Sequence, residues 1–371
     1  MKKLHLIVFC LVVAGLSAWQ LISRERIMPE PAVEEPVAGE PLAREGGPAI
    51  EETKESEVVA REDAVKNEAA VTPSHPVSLP AYFNRTFDGR DLKLGQVLAK
   101  NSMYTRYFIA YTSGNLSISG IMNVPASAEA PMGKPAPVLI LNHGHIDTAV
   151  YTNGRGLKRE QDYLARQGYV VIHPDYRNHA QSDKDPESEH NLRMGYTEDV
   201  INVVYAVRNS SLGFLDKERI GMLGHSMGGG ISQNIAVIAP DLVKAIVLFA
   251  PVSADYVDNF NKWTRGDEAR KNRTEEIVAR YGSPEDNPEF WRNVSAINFF
   301  DRIQSPIMLH HGTQDESCPL EWSDRTAAAL EAIGKDITYH IYEGEPHEFI
   351  NAWPTVMERT TEFFDQYVKN S

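Results

Sequence analysis

One hexapeptide constrains this chain more than any other feature. Gly224-His225-Ser226-Met227-Gly228-Gly229 has the form G-x-S-x-G, follows the apolar run 220–223 and precedes a helix-like stretch over 231–239. A strand that turns directly into a helix at such a sequence has little choice of geometry. The turn is so tight that Gly224 and Gly228 must lack side chains. The serine between them is held in a strained conformation, with its hydroxyl exposed above a sheet. The helix N-terminus beneath it favours developing negative charge. The competing reading, an ordinary N-cap serine in a glycine-rich helix start, does not account for the preceding strand.

The surrounding pattern supplies that sheet. Runs 137–142, 169–173, 219–223, 243–251 and 307–311 are nearly continuous in apolar residues, as strands covered on both faces are. A last strand is expected over 337–342, and two short β-type runs, 107–111 and 116–124, flank a turn at Ser113-Gly114-Asn115. Helices are expected over 157–167, which stops at Gly168, and over 197–207, 231–239 and 354–368. Strands alternating with helices imply an α/β fold: a mostly parallel, doubly wound sheet with helices on both faces. About fifty residues separate the strand ending near Ser253 from the one starting at Pro306. They hold Trp263, Tyr281, Trp291 and a charged run over 265–280. A connection this long in an α/β domain is usually functional. It reads as a small helical cap over 254–305, against the blander reading of a surface excursion.

A serine hydroxyl is a poor nucleophile until a base takes its proton. Downstream lies His310-His311-Gly312-Thr313-Gln314-Asp315, which puts Asp315 in the loop leaving a buried strand. Ligand chemistry collects at the C-terminal ends of strands in open α/β sheets. By itself such an aspartate would more often form an Asx-turn or a helix cap. Glu316, Asp301 and Glu321 are rivals placed less well relative to the strand. After the last strand comes Glu345-Pro346-His347, 32 residues beyond Asp315. The order Ser226, Asp315, His347 is that of one known triad arrangement. In it, His347 takes the serine proton and returns it to the leaving group, while Asp315 orients the imidazole.

Attack on a carbonyl creates an oxyanion that needs donors already in place. The backbone N–H of Met227, after the nucleophile, is one candidate. The other is the N–H of His145, in His143-Gly144-His145 after the strand ending at Asn142, where Gly144 allows close approach. This chemistry requires no cofactor. His143, His145, His173, His179, His310 and His311 lie on separate strand ends without a recognised ligand spacing, so no metal site is expected. Cys318, three residues past Asp315, reads as a buried free thiol near the pocket.

The rest of the chain differs in kind. Residues 1–23 carry Lys2 and Lys3 ahead of an apolar run from Leu4 to Trp19, and read as a signal peptide or an uncleaved membrane anchor. Cys10 follows Phe9, which argues against lipoprotein processing. Residues 24–80 read as a disordered, Pro-rich acidic linker; between 24 and 75 there are thirteen acids against six bases, half of the chain's net charge of −14. Residues 81–371 are the expected catalytic domain. An acidic chain offers no basic surface for nucleic acid, and two cysteines make no disulfide framework. Membrane contact is expected through the N-terminal segment alone, and the sequence carries no reading of oligomeric state.

Taken together, His143-Gly144, Pro174-Asp175-Tyr176-Arg177, the hexapeptide at Ser226, Tyr281-Gly282-Ser283-Pro284 and His311-Gly312-Thr313-Gln314-Asp315 resemble the catalytic domain of the prolyl oligopeptidase family, within the α/β-hydrolases. The resemblance runs from about residue 136 to the C-terminus. It implies the α/β-hydrolase fold and serine-hydrolase chemistry, in a family of peptidases and acyl-releasing enzymes. The family's large peptidases carry a β-propeller, for which the roughly 55 residues between 81 and 136 are too few. Chains of this shorter kind are similar to carboxylesterases, including acetyl-xylan and feruloyl-type esterases and dienelactone hydrolases. The Gly-x-Ser-Met-Gly-Gly turn is also similar to that of cutinase-like polyesterases. The resulting expectation is an exported serine hydrolase that cleaves ester or amide bonds through an acyl-enzyme on Ser226, with a carboxylesterase-like activity foremost. A peptidase acting on short peptides is the first alternative, and an inactive binding module of the same fold is the second.

Overall fold

Nine strands form one sheet among the described residues of the computed structural model, which are 74–130 and 132–370. In chain order they are β1 (Arg90–Lys100), β2 (Tyr104–Ser113), β3 (Leu116–Pro125), β4 (Ala136–Asn142), β5 (Val170–Pro174), β6 (Leu215–His225), β7 (Ile246–Phe249), β8 (Ile307–Gly312) and β9 (Ile337–Tyr342). Their spatial order is β1-β2-β3-β5-β4-β6-β7-β8-β9. The pairs from β1 to β5 through β3 are antiparallel, and those from β5 through β4 to β9 are parallel. This is the α/β-hydrolase fold, with the mostly parallel, doubly wound sheet expected.

The burial pattern follows the sequence pattern. All seven residues of β4 and all five of β5 are buried, as continuous apolar runs require. Helices Lys158–Arg166 and Trp353–Phe364 pack with one face of the sheet through Leu164, Ala165, Val356, Met357 and Phe364. Helices Met194–Arg208 and Met227–Ile238 cover the other through Val200, Val204, Ile231 and Ile235.

The topology also places a site. From β4 the chain moves to β5 on one side, then crosses to β6 on the other, so the strand order reverses between β4 and β6. The crevice at such a switch point is where open α/β sheets bind ligands. The loop after β4 holds His143-Gly144-His145, and β6 runs directly into Ser226.

Several local expectations change. The edge strand β1 escaped the sequence reading because only Leu92 among its eleven residues is buried, so no alternation marks it. Its Arg90, Lys93 and Lys100 suit an edge that must not pair with another chain. The strand expected over 243–251 shrinks to 246–249, ending where Ala250 takes φ 40°. The helix expected from 231 starts at Met227, directly from the turn. The packed body also takes in residues ahead of 81. Val77, Ser78 and Leu79 are buried, and the His75 ring stands edge-on to Tyr281 and Phe290 at 5.1 and 5.2 Å. An acidic, Pro-rich neighbourhood hides these contacts from composition. The expected N-terminal segment 1–23 and the linker up to residue 73 lie outside the described residues. Among the described residues, no helix is long and apolar enough to cross a membrane.

The insertion 254–305 is helical, as expected. It contains helices Tyr256–Phe260, Lys271–Tyr281 and Pro288–Asn293, a π-turn at Asn261–Arg265 and a 3-10 stretch at Ala296–Arg302. Its aromatic residues extend the core on the sheet face covered by the helices Met194–Arg208 and Met227–Ile238: Trp291 packs on Phe260 (4.5 Å between ring centres) and Tyr281 stacks on Phe290 (4.4 Å).

Candidate active site

Ser226 sits between β6 and the helix Met227–Ile238 with φ 56° and ψ −120°, a region that non-glycine residues avoid. Holding a residue there costs about 1–3 kcal/mol, so its surroundings must over-determine it. They do: Ser226 N donates to Phe249 O at 3.0 Å, and Ser226 O accepts from the N–H groups of Gly229, Gly230 and Val252. The two glycines are required by contact. A Cβ on Gly224 would stand 2.3 Å from Gly228 O, and one on Gly228 would stand 2.0 Å from Asn142 O. Backbone carbonyls cannot retreat from such overlaps without moving strands.

Asp315 and His347 meet as the sequence order suggests. Asp315 follows β8, His347 follows β9, and His347 Nδ1 lies 2.7 Å from Asp315 Oδ2. Because the carboxylate only accepts, Nδ1 carries the proton and Nε2 is left as a base. The Asp315 side chain has no solvent exposure. Its Oδ1 accepts from the backbone N–H groups of Ser317 (2.8 Å) and Cys318 (2.7 Å). Its Oδ2 is also 3.1 Å from His311 Nε2. Burial alone would raise its pKa, but the His311 and His347 donors outweigh that and hold the carboxyl well below the usual carboxylate range. It stays ionised. Of the rival carboxylates, Glu316 accepts from the His347 backbone N–H at 3.3 Å, so it supports the loop and does not face the imidazole Nδ1. Glu321 lies in the first turn of the helix Leu320–Ala332 and Asp301 in the stretch Ala296–Arg302 of the cap, and neither lines the cavity that His347 lines.

The structure therefore brings Ser226 and His347 to one cavity, lined also by Gly144, His145, His225 and Met227. A Cβ on Gly144 would be 3.1 Å from Ser226 Cβ, which shows how closely the loop after β4 approaches the serine. Among the described residues, the backbone N–H groups of Met227 and His145 donate to no protein acceptor. That leaves both free for a developing oxyanion.

Other side chains complete the site through contacts that the sequence pattern does not signal. His225 lies against His347 with ring centres 4.5 Å apart, and its Nε2 is 3.2 Å from His347 O. Burial, then the adjoining His347, pushes His225 down to about 4, so it stays neutral. His311 bridges Ser323 Oγ (2.6 Å), Cys318 O (2.9 Å) and Asp315. Cys318 is buried beside the Ser226 hydroxyl, and burial, with Asp315 nearby, pushes its thiol up. Arg159 donates to the backbone carbonyls of Glu348 and Phe349, pinning the His347 loop. His143, His173 and His179 form part of a ring stack with Tyr151 and Tyr176 behind the cavity. Burial, with His179 next to it, pushes His143 down to about 3. His310 is bonded elsewhere, with Nδ1 at 2.8 Å from the Tyr342 hydroxyl. Among the described residues, no three His, Cys, Asp or Glu side chains are arranged to hold a metal.

The cap forms the roof. Tyr256, Trp263, Arg270, Arg273 and Ile277 line a cavity of about 520 Å³ that opens over Ser226. That volume lies in the range of small-molecule sites.

Comparisons with known proteins agree with this architecture. Residues 155–371 match the model of the prolyl oligopeptidase family. Dipeptidyl peptidase 4 of Sus scrofa is 29% identical over 159 residues, which are 42% of this chain and 19% of that protein. The match thus spans about a fifth of that curated relative's length. Two solved structures share the fold. Acetyl xylan esterase 1 from Thermoanaerobacterium has a TM-score of 0.56 at 20% identity, covering 76% of this chain and 92% of the esterase. Pyrococcus horikoshii acylaminoacyl peptidase has a TM-score of 0.56 at 21% identity, covering 72% of this chain and 42% of the peptidase.

Proposed function

The chain belongs to the prolyl oligopeptidase family of serine hydrolases, and from that premise we propose that it hydrolyses small carboxylic esters through an acyl-enzyme on Ser226. The observation that carries the proposal is the His347–Asp315 bond at 2.7 Å beside a strained Ser226 at the strand-order reversal. His347 Nε2 takes the proton from Ser226 Oγ as the oxygen attacks the ester carbonyl. Met227 N–H and His145 N–H receive the oxyanion. His347 then gives its proton to the departing alcohol oxygen as the C–O bond breaks. Water repeats the sequence in reverse roles and frees the acid. Asp315 remains a carboxylate throughout and steadies the imidazolium.

Ester is preferred over amino-terminal peptide because of charge. Arg193, with Nη1 3.6 Å from Met227 Sδ, lines the cavity together with Arg270 and Arg273, and Glu189 among them is bonded to Arg193 and Arg273. A free α-ammonium group there would meet cations, since the cavity's other carboxylates, Glu316 and Glu348, stand beside His347 instead. The second reading, a peptidase acting on short blocked peptides, draws support from the 29% identity to a dipeptidyl peptidase. A panel of p-nitrophenyl esters and blocked or free aminoacyl p-nitroanilides separates the two. The ester reading expects turnover of esters at least a hundredfold faster in kcat/KM, lost in Ser226→Ala; faster anilide turnover would replace it with the peptidase reading.

Export completes the proposal. Lys2 and Lys3 before the apolar run 4–19 support insertion into or across a membrane. Fractionation of the full chain in a bacterial host should place it outside the cytosol, and deletion of residues 1–23 should return it there. A full chain found in the cytosol would contradict export.

A further inference from the structure

The cavity above Ser226 carries its charge unevenly. On one side stands Arg193, immediately before the helix Met194–Arg208, with Nη1 3.6 Å from Met227 Sδ. Its Nε bonds one oxygen of Glu189 at 2.9 Å, and Arg273 of the cap bonds the other. Arg270 lines the same wall and pairs with Asp267 at 3.2 Å. Three guanidinium groups against two carboxylates leave one surplus positive charge. His145 adds none, since burial, then Arg193 and Arg270, pushes its imidazole down to about 4. Glu316 and Glu348 also line the cavity, at His347: Glu316 accepts from the His347 backbone N–H at 3.3 Å, and Glu348 follows His347 in the chain.

Resting on the serine-hydrolase reading above, we propose that the preferred acyl group carries a second, ionised carboxylate seated on Arg193 and Arg273. The substrate class is then a monoester of a dicarboxylic acid. The leaving group departs beside His347, where two glutamates repel an anion, so the negative charge belongs to the acyl portion. One surplus charge matches a carboxylate better than a phosphate dianion. The planar guanidinium fork pairs with a carboxylate bidentately, and partial burial strengthens the pairing. The bland reading is that Arg193–Glu189–Arg273 only ties the cap to the body. A tie of that kind would affect every substrate alike, whereas an anion seat changes the ratio between charged and neutral acyl groups.

The test compares p-nitrophenyl hydrogen succinate with p-nitrophenyl butyrate, which have acyl chains of equal length. Spontaneous hydrolysis is subtracted. The wild-type kcat/KM ratio, succinate over butyrate, should be about tenfold or more at low salt, the size of one charge-assisted contact. It should fall several-fold in about 1 M NaCl. Arg193→Gln and Arg273→Gln should each lower the ratio about tenfold, mostly through KM. A wild-type ratio near one that ignores salt would overturn the proposal, whether or not the variants fold. So would a ratio unchanged in both variants. Labelling by a fluorophosphonate keeps the two claims apart. If Ser226 is labelled and butyrate is cleaved at a ratio of one, only the anion seat fails. If neither ester is cleaved and Ser226 is not labelled, the hydrolase reading fails with it.

Discussion

The floor and the roof of the cavity are built by different physics. The floor, where β6 turns into the helix at Ser226, is fixed by backbone contact: a Cβ at Gly228 would overlap the Asn142 carbonyl at 2.0 Å. The roof, formed by the cap, is fixed by side chains. Trp291 packs on Phe260, Tyr281 bonds the His190 carbonyl at 2.9 Å, and Arg273 and Arg280 reach Glu189 and Glu187 of the body. Backbone overlap tolerates almost no substitution, whereas ion pairs and ring packing tolerate many. On the proposed reading, reaction chemistry resides in the floor and selectivity in the roof.

Substitutions should separate the two regions, and the largest effects belong to the floor. Ser226→Ala or His347→Ala should lower kcat by about 10⁴-fold or more with little change in stability. Asp315→Asn should lower kcat by about 10³–10⁴-fold, because an amide at that position favours the wrong imidazole tautomer. If Asp315→Asn kept full activity, Glu316 would be the acid and the geometry at His347 would be misjudged. Trp291→Ala in the roof should instead cost about 3–5 kcal/mol of stability, read from the denaturant midpoint, since it empties part of the core that the cap extends. Loss of activity without loss of stability there would blur the contrast.

A pH series should give a smaller effect. His143 and His225 have folded pKa values of about 3 and about 4, below their unfolded value near 6.5. In that interval the unfolded chain binds more protons than the folded one, so stability falls as pH falls. The denaturant midpoint should be flat above about pH 7 and decline from about pH 6.5 to pH 4. A midpoint that rises on acidification would contradict the neutral, buried assignment. The smallest effect is expected at the rim. Arg280→Gln, which removes an exposed pair with Glu187, should leave the midpoint within error.

The same division explains what was legible in the sequence. Buried parallel strands such as β4 and β5 announce themselves, because both faces demand apolar residues. The Ser226 turn announces itself because only glycine fits beside it. Asp315 and His347 were legible through chain order and strand position, and not through any feature of their own. Edge strand β1 was not, since solvent makes no demand on its pattern. Residues 77–79 were hidden because a few buried side chains do not register in an acidic, Pro-rich composition. His311 and His225 were invisible as partners because their contacts join chain segments that meet only after the sheet has formed. The Arg193–Glu189–Arg273 pairing also depends on tertiary structure, with Leu192 and Arg193 both at positive φ before their helix. Eighty residues separate Arg193 from Arg273, and no local periodicity links them.

The most direct test of the central claim is the mass of the folded protein after reaction with a fluorophosphonate, followed by peptide mapping. One adduct per chain on Ser226, absent in Ser226→Ala and much slower in His347→Ala, is the predicted result. An adduct on another residue, or equal labelling of Ser226→Ala, would contradict the assignment of Ser226 as the nucleophile.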